Sequence, residues 1–434
     1  MLAVGLGALA LIETLRDGGF WSADALAITV VAALACLILW ATGAVAARGS
    51  ERLVIAGALA LAAWWAIRAG TTGELGRFDP LGASLVGFAA AFAAVRALPA
   101  ARRPHVVWAV GALGSVVALT GFAGLVARRF PLAIRSQGTV RLASTITYSD
   151  CAGLVLAVCL LVVLAAEVDE FPWLPRLAVF ACSAGLLATQ SRADVLAAVL
   201  AALLVPFRLV VRHALPLLCG LVLGTVAVAT SPSHHAVPWL AGAGIGCAAL
   251  AAWAPPLRWE ARSGWSTTTR LGAVAGTLAV AALALVLVHH EIGLRALAPS
   301  DGDRWAEWQA AWHQFLSAPW LGVGPDRLLL VHAADGNAAN FVHNEYLQVL
   351  AGGGVIGLGL LALTMVALVR SVRRHDPLAA GAVAGLVCLA LVGAVDFDWH
   401  VPVVGLLAGA VAGLAVPLTD RPQTLHQVAQ RVAQ

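Results

Sequence analysis

Charged residues are scarce in this sequence. Only 12% of its 434 residues are charged and 61% are hydrophobic, whereas a soluble domain has roughly 25% charged residues. So few charges cannot cover a water-exposed exterior, which excludes a soluble globular protein. The composition predicts instead an all-α, polytopic integral membrane protein.

Other absences exclude further classes of protein. The seven cysteines occur singly in apolar runs without C-x-x-C spacing, which excludes a disulfide framework or a zinc site. The net charge of +4 is spread over many loops and argues against a nucleic-acid partner. Residues 1–15 lack a basic segment and a small-residue cleavage site, so we expect no cleavable signal of the usual form. Without repeats or long linkers, residues 1–434 are predicted to form a single integral membrane domain.

What the sequence contains in abundance is long apolar runs. About fourteen runs of roughly 15–25 residues predict about 12–14 transmembrane helices. These runs cover approximately 1–15, 24–47, 52–69, 81–98, 105–127, 149–168, 175–190, 193–207, 213–230, 236–253, 270–289, 345–370, 378–395 and 399–417.

The distribution of arginine between the loops predicts the orientation. Alternate loops are rich in arginine, for example around Arg102, Arg208 and Arg370, and cytoplasmic loops carry such an excess. The arginine-rich set is therefore predicted to be cytoplasmic, with both termini inside. The large loop at 290–344 is then on the outer side.

Two outer loops contain arginine against this bias. Residues 128–148 include Arg141, and residues 290–344 include Arg304. Guanidinium groups bind phosphate through two parallel hydrogen bonds, so one explanation is an anionic ligand. Ion pairing with lipid headgroups is the alternative.

Arg192 lies in a short polar turn between two apolar runs of about 16 and 15 residues. Such runs rise only about 24 Å, less than the roughly 30 Å of a hydrocarbon core, so the turn is expected within the outer leaflet. An arginine at that depth needs an anion in a protein cavity. Either Asp194 or a ligand phosphate can provide it.

The outer loop is predicted to contain an amphipathic helix. Trp305, Trp308 and Trp312 recur with helical spacing, which is typical of a helix anchored at a membrane interface. Such a helix holds Arg304 near the headgroup plane.

A polar cluster, His343-Asn344-Glu345, stands where the outer loop meets the next apolar run. One interpretation is a helix cap, in which Asn344 or His343 accepts hydrogen bonds from the first turn. The other is a reactive site, because histidine accepts and donates protons near neutral pH.

Five segments in order resemble the O-antigen ligase and polymerase superfamily of bacterial membrane glycosyltransferases, over about residues 128–402. The segments are Arg141 to Asp150, Ser191-Arg192-Ala193, Arg304-Trp305 with Leu321 to Pro325, His343 to Gln348, and Asp396 to His400. Two positions depart from the family pattern. Asp150 replaces an asparagine, and Gly352 replaces an acidic residue.

The resemblance implies transfer of a glycan from an undecaprenyl diphosphate carrier at the periplasmic face of the bacterial inner membrane, with residues 290–344 as a large periplasmic loop. The acceptor is lipid A–core oligosaccharide in ligases, another carrier-linked repeat unit in polymerases, or a protein. The family is described as inverting and metal-independent, and no cofactor is expected. A transporter of the same carrier lipid is the alternative from another class.

The resemblance and the chemistry of the side chains together define candidate roles. We expect His343 to accept a proton from the acceptor hydroxyl or to orient that hydroxyl. The expected diphosphate ligands are Arg141, Arg192 and Arg304. The expected supporting residues are Asn344, Glu345, Tyr346, Tyr148 and Asp150.

Overall fold

The computed structural model describes residues 2–43, 49–73, 80–136, 138–166, 171–253, 302–325, 330–331, 338–339, 341–372 and 377–417. Over these ranges the chain is almost entirely helical, with two short antiparallel hairpins. The predicted class, an all-α polytopic membrane protein, is confirmed.

The helices follow one another with short connections. In chain order they are α1 (Leu2–Thr14), α2 (Ser22–Ala41), α3 (Ser50–Thr71), α4 (Pro80–Ala97), α5 (Arg103–Ala127), α6 (Ser149–Leu164), α7 (Trp173–Ala188), α8 (Arg192–Ala202), α9 (Phe207–Arg212), α10 (Ala214–Ala229), α11 (Trp239–Trp253), α12 (Gly302–Ser317), α13 (Glu345–Ser371), α14 (Pro377–Val392) and α15 (Pro402–Ala415). The hairpins are β1 (Ala133–Ser136) with β2 (Thr139–Leu142), and β3 (Leu330–Val331) with β4 (Ala338–Ala339).

Five of these helices, α2, α3, α4, α5 and α13, are long and apolar enough to cross a membrane. Seven shorter apolar helices accompany them among the described residues. Most of the predicted runs coincide with a helix to within a few residues, and the run at 270–289 lies outside the described residues.

The predicted run at 193–207 differs from the structure. Helix α8 has 11 residues and rises only about 16 Å, too little to cross a bilayer. The chain turns before Pro206, which lacks an N–H group and disfavours helical geometry in the residue before it.

Helix α6 lies at the centre of the bundle. Its residues from Cys151 to Leu164 are buried, between α5, α7, α8 and α14. A second close contact joins α4 and α15, where Gly405 and Gly409 lie against the backbone of Ser84 and Phe88. Small residues permit such close approach of helix backbones in membranes.

Helix α13 is broken near its middle. Gly354 has φ 67° and ψ −168°, a conformation that only glycine adopts readily. The turn after α12 is hydrogen-bonded to the backbone at this break. Val323 N–H donates to the Ala351 carbonyl (2.9 Å), and Val355 N–H donates to the Pro319 carbonyl (2.9 Å). These bonds fix the end of α12 against α13.

Candidate active site

Polar side chains from separate parts of the chain meet at one end of the bundle, which we call the polar end. It comprises β2, the start of α6, helix α12, the start of α13 and the loop between α14 and α15. Two of these side chains contact the carboxylate of Asp396, which lies in the loop between α14 and α15. Tyr148 Oη donates to it at 3.0 Å, and an Arg304 guanidinium nitrogen lies 3.8 Å from its other oxygen.

Arg304 is held by the same loop. A second guanidinium nitrogen donates to the Val395 carbonyl at 2.9 Å. The Arg304 side chain remains 31% exposed, whereas Asp396 is only 3% exposed. The arginine is therefore oriented by the protein while part of its side chain remains exposed.

His343 lies beside this pair and is fixed by Glu307. The ring Nδ1 is 2.7 Å from Glu307 Oε2, and the side chains are 25% and 3% exposed, respectively. The same oxygen accepts the backbone N–H of His343 at 3.3 Å. The ring also makes a T-shaped contact with Phe397, with centroids 5.2 Å apart.

The pKa of His343 is raised from its ordinary value. Burial acts to lower this pKa, but the hydrogen bond with Glu307 and the negative charges of Asp396 and Glu307 outweigh burial and the opposing charge of Arg304. The pKa of Asp396 is also raised, first by burial and then by the charge of Asp150. The polar end therefore holds an imidazole whose protonated form is stabilised by neighbouring negative charge.

An aromatic stack lines the base of the polar end. Phe397 stacks on Phe341 with centroids 4.9 Å apart, and on Tyr148 at 5.4 Å. These stacking contacts hold the three rings next to His343 and Asp396.

Arg141 and Asp150 form an ion pair beside this stack. Arg141 Nε also donates to the Thr189 carbonyl at 2.7 Å, which ties β2 to the turn after α7. The side chains are 17% and 16% exposed. Asp150, which stands where the resembled family has asparagine, thus supplies a charge for Arg141.

Arg192 occupies the same turn as Thr189. It is the first residue of α8 and is exposed, and Ser191 caps this helix by accepting the Asp194 N–H. The Asp194 side chain is fully buried and lies beside Gly153 of α6. The turn thus brings Arg192 to the polar end near Arg141.

The three residues after His343 stabilise the start of α13. Asn344 caps the helix by accepting the Leu347 N–H at 3.0 Å, so the N-cap is Asn344 and not His343. Glu345 lies 3.4 Å from His400 Nδ1. Tyr346 Oη donates to the Ala390 carbonyl of α14 at 2.8 Å.

Helix α12 has the amphipathic character that the tryptophan spacing predicts. Trp305 and Trp312 are 61% and 47% exposed, as expected of side chains at a lipid interface. Trp308 instead donates to the His343 carbonyl at 2.9 Å. Arg304 and Glu307 therefore face the protein from the inner side of α12.

The motifs did not single out Glu307 as the partner of His343. A signal was present, because Glu307 follows Arg304 by three residues and must share its helix face. Asp396 and Phe397 belong to the last of the five resembled segments, but nothing local linked them to His343. Only the fold brings these residues to the start of α13.

The arrangement suits displacement of a negatively charged leaving group. A half-buried imidazole, fixed at one nitrogen, can accept a proton from a hydroxyl. Guanidinium groups nearby can stabilise negative charge as it develops. Both kinds of group are preorganised here by contacts within the protein.

The sequence model of the O-antigen ligase family matches residues 177–362 of this chain. The match includes Arg192, Arg304, Glu307 and His343. It confirms the resemblance to the O-antigen ligase and polymerase superfamily and supports a membrane glycosyltransferase of this type. A search of the curated proteins gives no match.

Proposed function

We propose that this protein is an O-antigen ligase-type glycosyltransferase. It transfers a glycan from undecaprenyl diphosphate to lipid A–core oligosaccharide at the periplasmic face of the inner membrane. The observation that carries the proposal is the position of His343. Its ring lies beside the Arg304–Asp396 pair, and both His343 and Arg304 lie within the segment that matches the family.

The reaction requires one bond to form and one to break at the anomeric carbon. The acceptor hydroxyl oxygen attacks this carbon from the face opposite the diphosphate, and its proton passes to His343. The bond from the anomeric carbon to the phosphate oxygen breaks, and its electron pair leaves with undecaprenyl diphosphate. Attack from the opposite face inverts the anomeric configuration.

The leaving diphosphate carries the charge that must be stabilised. Arg304 is oriented towards the polar end and remains 31% exposed. We propose that Arg192, at the start of α8, and Arg141, in β2, complete the diphosphate site. Planar guanidinium groups bind phosphate oxygens in pairs, so we propose that these arginines perform this task without a metal ion.

The proposal is tested with purified protein in lipid nanodiscs and a defined undecaprenyl diphosphate-linked glycan. Lipid A–core, a second carrier-linked unit and an acceptor protein are supplied separately, and mass spectrometry identifies the product. We expect transfer to lipid A–core. Product with a carrier-linked unit or a protein instead would assign a polymerase or a protein O-oligosaccharyltransferase.

His343→Ala provides the control for the site. It should lower turnover about 10²–10⁴-fold, the usual contribution of a general base, and leave donor binding largely intact. His343→Asn tests for a purely structural role, and full activity of that variant would remove His343 from the mechanism. In proteoliposomes, donor that crosses the bilayer without transfer would indicate a transporter.

The proposed orientation is tested by labelling single cysteines with an impermeant thiol reagent in intact cells. The background lacks the seven native cysteines. A cysteine at residue 335 should react and one at residue 260 should not, because the first lies in the predicted periplasmic loop. The reverse pattern would place the polar end on the cytoplasmic side and contradict the proposal.

A further inference from the structure

We propose that Glu307 is a positioning residue that fixes His343 Nδ1 and leaves Nε2 to act on the acceptor hydroxyl. This inference rests on the proposed function and deepens it. It concerns the residue that makes His343 competent, and neither the motifs nor the family match assigns that role to Glu307.

The geometry determines which ring nitrogen is available. Nδ1 lies 2.7 Å from Glu307 Oε2, a distance typical of a charge-assisted hydrogen bond. In the neutral imidazole one nitrogen carries hydrogen and the other a lone pair. A carboxylate can only accept, so Nδ1 carries the hydrogen and Nε2 holds the lone pair.

The position of Glu307 makes this control rigid. Its side chain is 3% exposed, and the oxygen that contacts the ring also accepts the His343 backbone N–H at 3.3 Å. Trp308, the next residue of α12, donates to the His343 carbonyl at 2.9 Å. One turn of α12 therefore holds both the ring and the backbone of His343.

The charges around His343 come from two elements. Arg304 and Glu307 face it from α12, and Asp396 faces it from the loop between α14 and α15. On its own segment, Glu345 lies instead beside His400. Glu307 is thus the acid that bonds the ring, and its negative charge stabilises the imidazolium formed when Nε2 accepts the proton.

Glu307→Gln separates charge from orientation. Because one oxygen of Glu307 serves both the ring and the backbone N–H of His343, an amide oxygen can take the same place and retain the tautomer. Only the charge is lost. Without it the pKa of His343 falls, so the acid limb of the pH–turnover profile should move to lower pH.

We further expect kcat of Glu307→Gln to fall about tenfold on the plateau, since a less basic imidazole is a weaker base. KM for the donor should change little. Glu307→Ala removes orientation as well and should lower kcat about 10²-fold or more, as loss of an orienting carboxylate does for other catalytic histidines.

Glu51→Gln is the matched control. Glu51 is also a buried carboxylate in an ion pair, with Arg96, but it lies at the opposite end of the bundle. Its variant should keep the wild-type pH profile. Glu307→Asp retains the negative charge, so the acid limb of its pH–turnover profile should stay at the wild-type pH. If Glu307→Gln does not fold, the pair Glu307→Asp and Glu307→Asn provides the same comparison of charged and neutral side chains.

Titration of ¹⁵N-labelled histidine gives a readout besides activity, with His343 assigned from the His343→Asn spectrum. A lower pKa for His343 in Glu307→Gln supports the inference. A pH profile and a His343 titration identical to wild type in that variant would overturn it, even if His343→Ala is inactive. Full activity of His343→Ala would instead contradict the proposed function itself.

Discussion

Buried and half-buried arginines occur at both ends of the bundle, but their partners differ. Helix α15 starts beside the polar end and finishes about 20 Å away, where Arg96 and Arg103 contact its last turn. Arg96 is 6% exposed and pairs with Glu51, and both arginines donate to the Val416 carbonyl. At the polar end, Arg304 is 31% exposed and lies 3.8 Å from Asp396.

We interpret this difference as two roles for one residue type, one structural and one in the proposed ligand site. At the far end, guanidinium groups satisfy the last carbonyls of a helix, which stabilises the fold. At the polar end, the protein orients Arg304 but leaves part of it accessible. The proposed diphosphate site needs an arginine that is held in place and still accessible, as Arg304 is.

Among the arginines, the largest effect is expected from removing Arg304. Arg304→Ala should lower turnover about 10³-fold, since an arginine that stabilises charge in phosphoryl transfer contributes at least that much. Arg304→Lys keeps the charge but loses the planar fork, so it should also be substantially slower. Steady-state turnover with defined donor measures both, and wild-type turnover of a folded Arg304→Lys variant would argue against diphosphate binding.

The second effect concerns stability at the far end. Arg96→Met leaves the Glu51 carboxylate buried without its partner, so the free energy of unfolding should fall by about 3–5 kcal/mol. Turnover per folded molecule should stay near wild type. Arg304→Met should cost less, because the Arg304–Asp396 contact is longer, at 3.8 Å, and Asp396 keeps its hydrogen bonds from Tyr148 Oη and the Phe397 N–H.

Denaturant titration in detergent measures this contrast. Glu51→Gln combined with Arg96→Met removes both charges and should recover part of the lost stability. Equal destabilisation by Arg96→Met and Arg304→Met would show that the two ion pairs contribute equally to the stability of the fold.

The smallest effect is expected for Arg192. This exposed residue starts α8 near the Arg141–Asp150 pair, and Arg192→Lys should lower kcat/KM for the donor about tenfold, the equivalent of about 1.4 kcal/mol. Competition between labelled and unlabelled donor measures binding separately. Unchanged kcat/KM would place Arg192 outside the diphosphate site.

Much of the fold could be predicted because apolar runs in a membrane must be helical. The run predicted at 105–127 agrees with α5 at Arg103–Ala127, and that at 345–370 agrees with α13 at Glu345–Ser371. Pro206 shortened α8, and the β1–β2 hairpin was not predicted. Short elements depend on local turns and on neighbouring helices, which periodicity does not encode.

The candidate site was predictable in part. His343 and the arginines stood out because polar groups at a membrane boundary are expensive to bury. The sequence also indicated helix α12 and its tryptophan face. It gave Asn344 and Glu345 as supporting residues and Asn344 also as a possible helix cap; in the structure Asn344 caps α13 and Glu345 lies beside His400.

The sequence by itself therefore determined the membrane class, the approximate helix boundaries and the residue types able to carry the chemistry, because these follow from hydropathy and local spacing. The tertiary structure decided which side chains meet. Glu307 and His343 are 36 residues apart in the chain, and Tyr148 and Asp396 are 248 apart. Contacts at such separations depend on how whole helices pack. Here the turn after α12 is bonded to α13 at the kink at Gly354, and this contact holds α12 against His343.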